Sequence, residues 1–200
     1  MSHLSSTSLY GLVLAGGKST RMGRDKGTID YHGIPQREYL YNLLSAVCEE
    51  VFMSLQPNQL PGLKGDFKYI LDQDRFKGPY NGLLSAHRQF PKAAWLVLAC
   101  DLPFMDLQGI ELLVENRDRS KVATAFALKE NPLPEPLAAI WEPHGLAQSE
   151  IHLGGKISGS PREYLINSSV ELVFPESEEI LINANSKEEY EMALTKLRSR

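Results

Sequence analysis

Leu12–Lys26 reads LVLAGGKSTRMGRDK, and its two halves follow different chemistry. The first half belongs to an apolar run, Leu9–Ala15, that stops at two glycines. A short apolar run bounded by turn residues is the signature of a strand buried on both faces of a parallel sheet. Gly16 and Gly17 lack Cβ, so the backbone there can take positive φ and approach a ligand closely. The second half carries Lys18, Arg21 and Lys26 among hydroxyl-bearing residues. Backbone N–H groups and three cations around a glycine turn make a concave positive surface suited to phosphate.

Two familiar phosphate motifs do not account for it. A P-loop, GxxxxGK[ST], ends correctly at Gly17-Lys18-Ser19, but its opening glycine belongs at position 12, where Leu12 stands. The dinucleotide fingerprint GxGxxG fails because Gly16 and Gly17 are adjacent. An ordinary strand-to-loop turn with solvated charges does not explain Lys18, Arg21 and Lys26 beside a glycine pair in so short a stretch.

Composition sets the frame. The 200 residues are 42% hydrophobic, enough for one α/β domain with a sizeable core. A net charge of −4 and the lack of a basic stripe argue against a nucleic-acid binder, while one local cluster suffices for a triphosphate. Cys48 and Cys100 are far apart and lack CxxC spacing, which argues against a disulfide framework or zinc site and suits a reducing cytoplasm. No apolar run reaches the length of a membrane span, and MSHLSSTS at the N-terminus has no signal-peptide core, so residues 1–8 read as a frayed tail before a domain at 9–198.

Further along, strands are expected at Val51–Leu55, Phe67–Leu71, Ala94–Ala99, Lys121–Leu128, Pro136–Trp141 and Ser168–Phe174. Helices are expected after Pro35 on the period of Tyr39, Leu40, Leu43, Leu44 and Val47, after Gly78-Pro79, from Asp106 as a cap, and from Pro143 to about Ile151. A last helix begins at Ser186, where Glu189 completes a capping box. Gly154–Pro161 reads as a flexible loop carrying Lys156 and followed by Arg162. Asp101 ends the most apolar strand, where open α/β sheets place ligands, and a carboxylate there can hold Mg²⁺. Cys100 reads as a packed core residue, and His144 and His152 as surface or packing residues, since no partner stands at metal spacing.

LAGGKSTRMGRDK resembles the signature LAGGxSxRMGxDK of the molybdenum cofactor guanylyltransferase family. Gly78-Pro79-Tyr80-Asn81-Gly82 is similar to its GPLAG block, Ala99-Cys100-Asp101-Leu102-Pro103-Phe104 to its ACDxPF block, and Glu135–Ile140 and Ile182–Ser186 to later blocks. The resemblance covers nearly the whole chain. It implies a single-domain Rossmann-like nucleotidyltransferase, with a mostly parallel central sheet, helices on both faces and Pro136–Trp141 antiparallel. It implies GMP transfer from GTP to molybdopterin with Mg²⁺, with molybdoenzymes or cofactor-biosynthesis proteins as partners.

The residues that the resemblance marks as catalytic are Arg21, Lys26 and Asp101, with Asp101 on the metal. Those marked for the nucleotide are Leu14, Ala15, Gly16, Gly17, Lys26, Gln56, Asp72, Gly78, Gly82 and Asp101. Gln56 stands where the family has an asparagine. The nucleotide-site aspartate is Asp72 if one loop residue is deleted, or else Asp74. Lys156, Arg162, Asn183 and Asn185 fall on the side where the family docks the pterin. Asp25 can orient Lys26 or Arg21. Tyr80-Asn81 in place of Leu-Ala leaves a cytidylyltransferase or sugar-phosphate nucleotidyltransferase of the same fold open, and a non-catalytic nucleotide-binding delivery subunit is the alternative from another class.

Overall fold

The computed structural model describes residues 7–16, 25–156 and 159–199. Among them, β1 (Leu9–Leu14), β2 (Glu50–Leu55), β3 (Tyr69–Leu71), β4 (Ala94–Ala99), β5 (Ala123–Phe126), β6 (Ala138–Trp141) and β7 (Val170–Val173) form one sheet in the order β3-β2-β1-β4-β6-β5-β7. Pairing is parallel except at β6, which runs antiparallel to both β4 and β5. The mostly parallel sheet and the reversed sixth strand are as the resemblance implied.

The central strands are buried on both faces, which is why they read as continuous apolar runs. In β4, Ala94, Leu96 and Leu98 enter one core layer, while Trp95 and Val97 enter the other. The first layer is completed by Leu40 and Leu44 of α1 (Gln36–Ser45) and by Ile110 and Leu113 of α3 (Leu107–Glu115). The second takes Leu83 and Leu84 of α2 (Pro79–Gln89), Leu146 of α4 (Pro143–Leu153) and Leu165 of α5 (Pro161–Ile166). Helices thus cover both faces.

A smaller cluster of Ile29, Tyr31, Phe104, Ala184 and Ala193 seats α6 (Lys187–Arg198) beside the end of β4. Ser186 caps α6 as expected: its side chain accepts from the Glu189 N–H, and the Glu189 carboxylate accepts from the Ser186 N–H at 2.9 Å. The N–H groups of Asn185 and Ser186 hold the Glu189 carboxyl below its ordinary range. The Asp106 cap on α3 is also present, with Gly109 N–H donating at 2.8 Å.

Several segments differ from the sequence reading, and the strands expected at Lys121–Leu128 and Ser168–Phe174 are shorter, Ala123–Phe126 and Val170–Val173. Pro161–Ile166 is a helix rather than the tail of a loop, with Ser160 as its cap and Pro161 in its first turn. Gly154, at φ 56°, closes α4 in the left-handed region, so its flexibility serves a helix end. The third strand is shorter than Phe67–Leu71. Phe67 turns away to pack edge-on against Tyr41, with ring centroids 5.1 Å apart, although the Lys68 carbonyl still accepts from the Met53 N–H. Pro136 lies outside β6, and its carbonyl accepts from the buried Trp141 indole at 2.9 Å.

Packing also extends upstream of Leu9, since the Ser8 carbonyl accepts from the Ala94 N–H at 2.9 Å. Among the described residues, no helix is long and apolar enough to cross a membrane.

Candidate active site

Chain direction locates the site. β1 leads through α1 to β2 on one side, whereas β4 pairs with the opposite side of β1. That reversal is a topological switch point, and ligands bind outside the carboxyl ends of the strands that flank it. Leu14 and Ala99 are partners there, so Gly16 and Asp101 emerge side by side. A cavity of about 730 Å³ opens at this point. Leu14, Ala15, Gly16, Lys26, Gln56, Asp72, Gly78, Gly82 and Asp101, all marked in the sequence, line it together with Asp74 and Asn81. Gly17 and Arg21 lie outside the described residues. Lys156 and Arg162 are exposed and outside the cavity lining, and Arg162 pairs with Glu135.

Lys26 is the hub of the polar cluster. Its ammonium lies 3.4 Å from Asp101 Oδ2 and donates to Asn185 Oδ1. Asn185 comes from the far end of the chain, and the Ala184 N–H fixes it in place by donating to the Asp101 carbonyl at 2.9 Å. Asn183 is exposed and lies outside the lining.

Asp25 lies at the base of the turn that carries Lys26. Its Oδ1 accepts from the Gly27 N–H at 2.9 Å and so caps the 3-10 turn Lys26–Thr28. Its Oδ2 accepts from Gln59 at 2.7 Å and lies 3.8 Å from the buried Arg37 guanidinium. Arg37 was not marked by the sequence reading. Its spacing from Leu40 and Leu44 puts a cation on the core face of α1, which is the signal available.

Asp101 has a rigid mount. The segment just after it offers three backbone carbonyls to side chains from around the start of α1. Gln36 donates to the Leu102 carbonyl at 3.0 Å, Tyr39 to the Met105 carbonyl at 3.0 Å, and His32 Nε2 bonds the Pro103 carbonyl at 2.9 Å. Tyr39 also stacks on His32, with ring centroids 3.6 Å apart. Cys100 is buried in the core layer, as a packed core residue, and burial together with the Asp101 charge pushes its thiol far above the ordinary range. Burial pushes the Cys48 thiol up to about 12. His152 packs 5.5 Å from the Tyr164 ring.

On the opposite wall, Gln56 bridges two carboxylates. Its amide donates to Asp72 Oδ2 at 3.0 Å and to Asp74 Oδ1 at 3.4 Å. Ser54 donates to Asp72 Oδ1 at 2.5 Å. Asp74 is exposed and sits at φ 52°, a conformation that aspartate tolerates better than most residues.

The glycines fit by contact. A Cβ at Gly16 would lie 2.3 Å from Asp72 Oδ2, and one at Gly82 would lie 2.4 Å from Ser54 Oγ. Gly82 therefore lets α2 approach the ends of β1 and β2, a packing role beyond the nucleotide-binding one that the resemblance implied. Gly78, with φ 66° and ψ −153°, occupies a region open essentially to glycine alone.

The Asp72 carboxyl is held above its ordinary range, chiefly by burial and secondarily by the Asp74 charge, against the opposing bonds from Ser54 and Gln56. Its folded pKa thus exceeds the unfolded one. The stability associated with its protonated form is fully present below the unfolded value and is lost as pH rises through the folded value. Asp72→Asn is therefore expected to raise the melting temperature of the ligand-free protein at pH 7. The gain over the parent should vanish near pH 3, below the unfolded value of about 3.9, where the carboxyl is largely protonated in both states. Thermal melts at the two pH values check this.

Mg²⁺ keeps several waters and takes one or two carboxylates alongside substrate phosphates. Among the described residues, no group of three or more His, Cys, Asp or Glu could hold a metal as a closed protein cage. Asp101, partly exposed and lining the cavity near Gly16, fits that open mode of binding.

A switch-point cavity lined by Gly16, Lys26 and the carboxylates of Asp72, Asp74 and Asp101 stands where open α/β proteins bind nucleotides. Residues 11–165 match the MobA-like NTP transferase domain, and the chain belongs to that family. It is 35% identical to a molybdenum cofactor biosynthesis bifunctional protein of Synechocystis over 94% of this chain and 54% of that protein, so it spans about half of that relative. It is 32% identical to a molybdenum cofactor guanylyltransferase of Pseudomonas aeruginosa, over 81% of this chain and 82% of that one. The fold matches the crystal structure of molybdopterin-guanine dinucleotide biosynthesis protein A from Archaeoglobus fulgidus, with TM-score 0.77, 19% identity, and coverage of 96% of this chain and 100% of that one.

Proposed function

We propose that this protein transfers GMP from GTP to the terminal phosphate of molybdopterin, giving the guanine dinucleotide cofactor and pyrophosphate. The observation that carries this reading is the Lys26–Asp101–Asn185 cluster beside the cavity, in a chain similar to molybdenum cofactor guanylyltransferases. The pterin phosphate attacks the α-phosphorus in line, and pyrophosphate leaves. Such a reaction needs alignment, charge neutralisation and a stabilised leaving group more than covalent help. Lys26 holds the triphosphate, with Gly16 and Gly17 offering backbone N–H groups and Arg21 a second cation. Asp101 is the residue that would hold Mg²⁺, which when bound supplies positive charge to the phosphate oxygens. Asn185 steadies Lys26 and reaches toward the pterin side. Asp72 and Gln56 bound the nucleoside side. A molybdoenzyme or another cofactor-biosynthesis protein then receives the product.

A thermal-shift panel of GTP, CTP, UTP, ATP and dTTP, each with and without Mg²⁺, tests the nucleotide. A ligand at a hundred times its dissociation constant stabilises the native state by about 2.7 kcal/mol, a shift of several degrees for a domain of this size. GTP alone is expected to give a Mg²⁺-dependent shift. A preference for CTP would replace the substrate and keep the mechanism.

Gly16→Ala gives a second check. Its methyl would displace an Asp72 carboxylate that Ser54 and Gln56 already hold. The expected result is at least about a tenfold loss of GTP affinity, equal to roughly 1.4 kcal/mol, measured by calorimetric titration.

A further inference from the structure

Gln59 was not marked in the sequence, yet its side chain touches three separate parts of the site. Its Nε2 carries two hydrogens, and both are used. One goes to the Ala15 carbonyl at 2.8 Å and the other to Asp25 Oδ2 at 2.7 Å. Its Oε1 accepts from the Gln56 N–H at 2.8 Å. One planar amide thereby ties the end of β1, the base of the Lys26 turn and the residue that bridges Asp72 and Asp74.

The anchor points are themselves fixed. The Ala15 N–H donates to the Ser54 carbonyl at 3.1 Å. Gln59 lies on a 3-10 turn, Pro57–Gly62, whose last carbonyl accepts from Arg37 at 2.6 Å. Arg37 also faces Asp25. The chain leaves this knot at Gly16 and returns to it at Asp25.

We propose that Gln59 is a positioning residue that sets the distance between Gly16 and Lys26, and with it the register of the phosphate-binding groups relative to Asp101. The inference rests on the guanylyltransferase reading and deepens it. The residue type follows from the bonding. Two donors and one acceptor are needed at fixed angles, and among uncharged side chains of this reach only glutamine supplies them. Alanine removes all three bonds. Glutamate keeps the shape but turns acceptor oxygens toward the Ala15 carbonyl and the Asp25 carboxylate. The charged groups facing that position are Asp25 on the Lys26 turn and Arg37 on α1, with Lys26 next along the turn and Asp72 and Asp74 beyond Gln56.

The test compares the parent with Gln59→Ala, Gln59→Glu and, as a control in the same turn, the exposed Asn58→Ala. Each is assayed for GTP KM and for kcat of pyrophosphate release with molybdopterin, at pH 6 and pH 8, with melting temperatures recorded. Displacement of reacting groups by an ångström costs on the order of a hundredfold. Gln59→Ala is expected to lower kcat/KM about ten- to a hundredfold, with GTP KM raised, while Asn58→Ala matches the parent. Gln59→Glu is expected to be worse than Gln59→Ala at pH 8 and to recover part of the loss at pH 6, where a carboxyl held above its ordinary range by the facing Asp25 charge is partly protonated and regains one donor. A merely structural role would lower the active fraction equally at both pH values and leave KM alone, and that outcome overturns the inference.

Unchanged kinetics in both Gln59 variants, beside a parent that uses GTP, overturns the inference while leaving the function standing. A parent that binds no nucleotide overturns the function and the inference with it. Should Gln59→Glu fail to fold, Gln59→Ala, which adds no charge, carries the test through its KM change.

Discussion

Asp101→Asn is expected to lower nucleotidyl transfer about a hundredfold or more, equal to roughly 3 kcal/mol of transition-state stabilisation, and to leave the protein folded. The loss follows from the position of the carboxylate. It stands at the switch point, on a mount made of backbone bonds to Gln36, Tyr39 and Ala184 that the substitution does not touch. An asparagine keeps the shape and removes the negative charge that a hard cation needs. Stability should change little, because the Lys26–Asp101 pair is about a quarter exposed on each side, and pairs of that kind contribute about 0–1 kcal/mol. Lys26→Ala should be comparably inactive for a different reason, loss of the charge that grips the triphosphate. Pyrophosphate release and melting temperature, measured on the same samples, check both variants. Parental turnover in either one would remove that residue from the catalytic set.

Arg117→Ala should have the opposite profile, a large loss of stability with the site's chemistry intact. Arg117 donates through Nε to Glu142 Oε1 at 2.6 Å and through Nη2 to Oε2 at 3.0 Å, with only 7% and 2% of the two side chains exposed. This fork joins the end of α3 to the start of α4, far along the sheet from the switch point. Removing the guanidinium leaves a buried carboxylate without its cation, a change that typically costs about 3–5 kcal/mol. For a domain of this size that corresponds to a fall in melting temperature of roughly 6–20 °C. Replacing both partners with apolar residues, Arg117→Met with Glu142→Leu, should cost far less, because no charge is then stranded. Equal losses in the single and double variants would contradict this account.

The sheet and its motif were readable in the sequence because both depend on local pattern. Ala94–Ala99 announces a central strand by continuous apolarity, and Asp101 follows it at the end where ligands bind. The capping signals at Asp106 and Ser186 needed only three or four residues of context.

The parts that escaped depend on distant partners. Gln59 is 44 residues from Ala15 and 34 from Asp25, and nothing in Gln56–Gly62 reveals that its amide serves both. Helix α5 was hidden by Gly154, Gly155 and Gly159, whose loop character masked the start signals of Ser160 and Pro161. The resemblance places Lys156 and Arg162 on the pterin side. Yet Arg162 is engaged by Glu135, and neither cation lines the cavity. Of the two asparagines near the C-terminus, Asn185 joins the Lys26 cluster and Asn183 does not, a distinction set by the docking of α6 rather than by the motif.

The most direct test of the central claim is pyrophosphate release by the purified protein with molybdopterin, Mg²⁺ and each nucleoside triphosphate in turn, with the pterin product analysed in the same reaction. The account predicts pyrophosphate with GTP, matched one for one by a guanine dinucleotide of the pterin, and its loss in Asp101→Asn. Pyrophosphate with CTP but not GTP, or GTP binding without pyrophosphate release when molybdopterin is present, would contradict it.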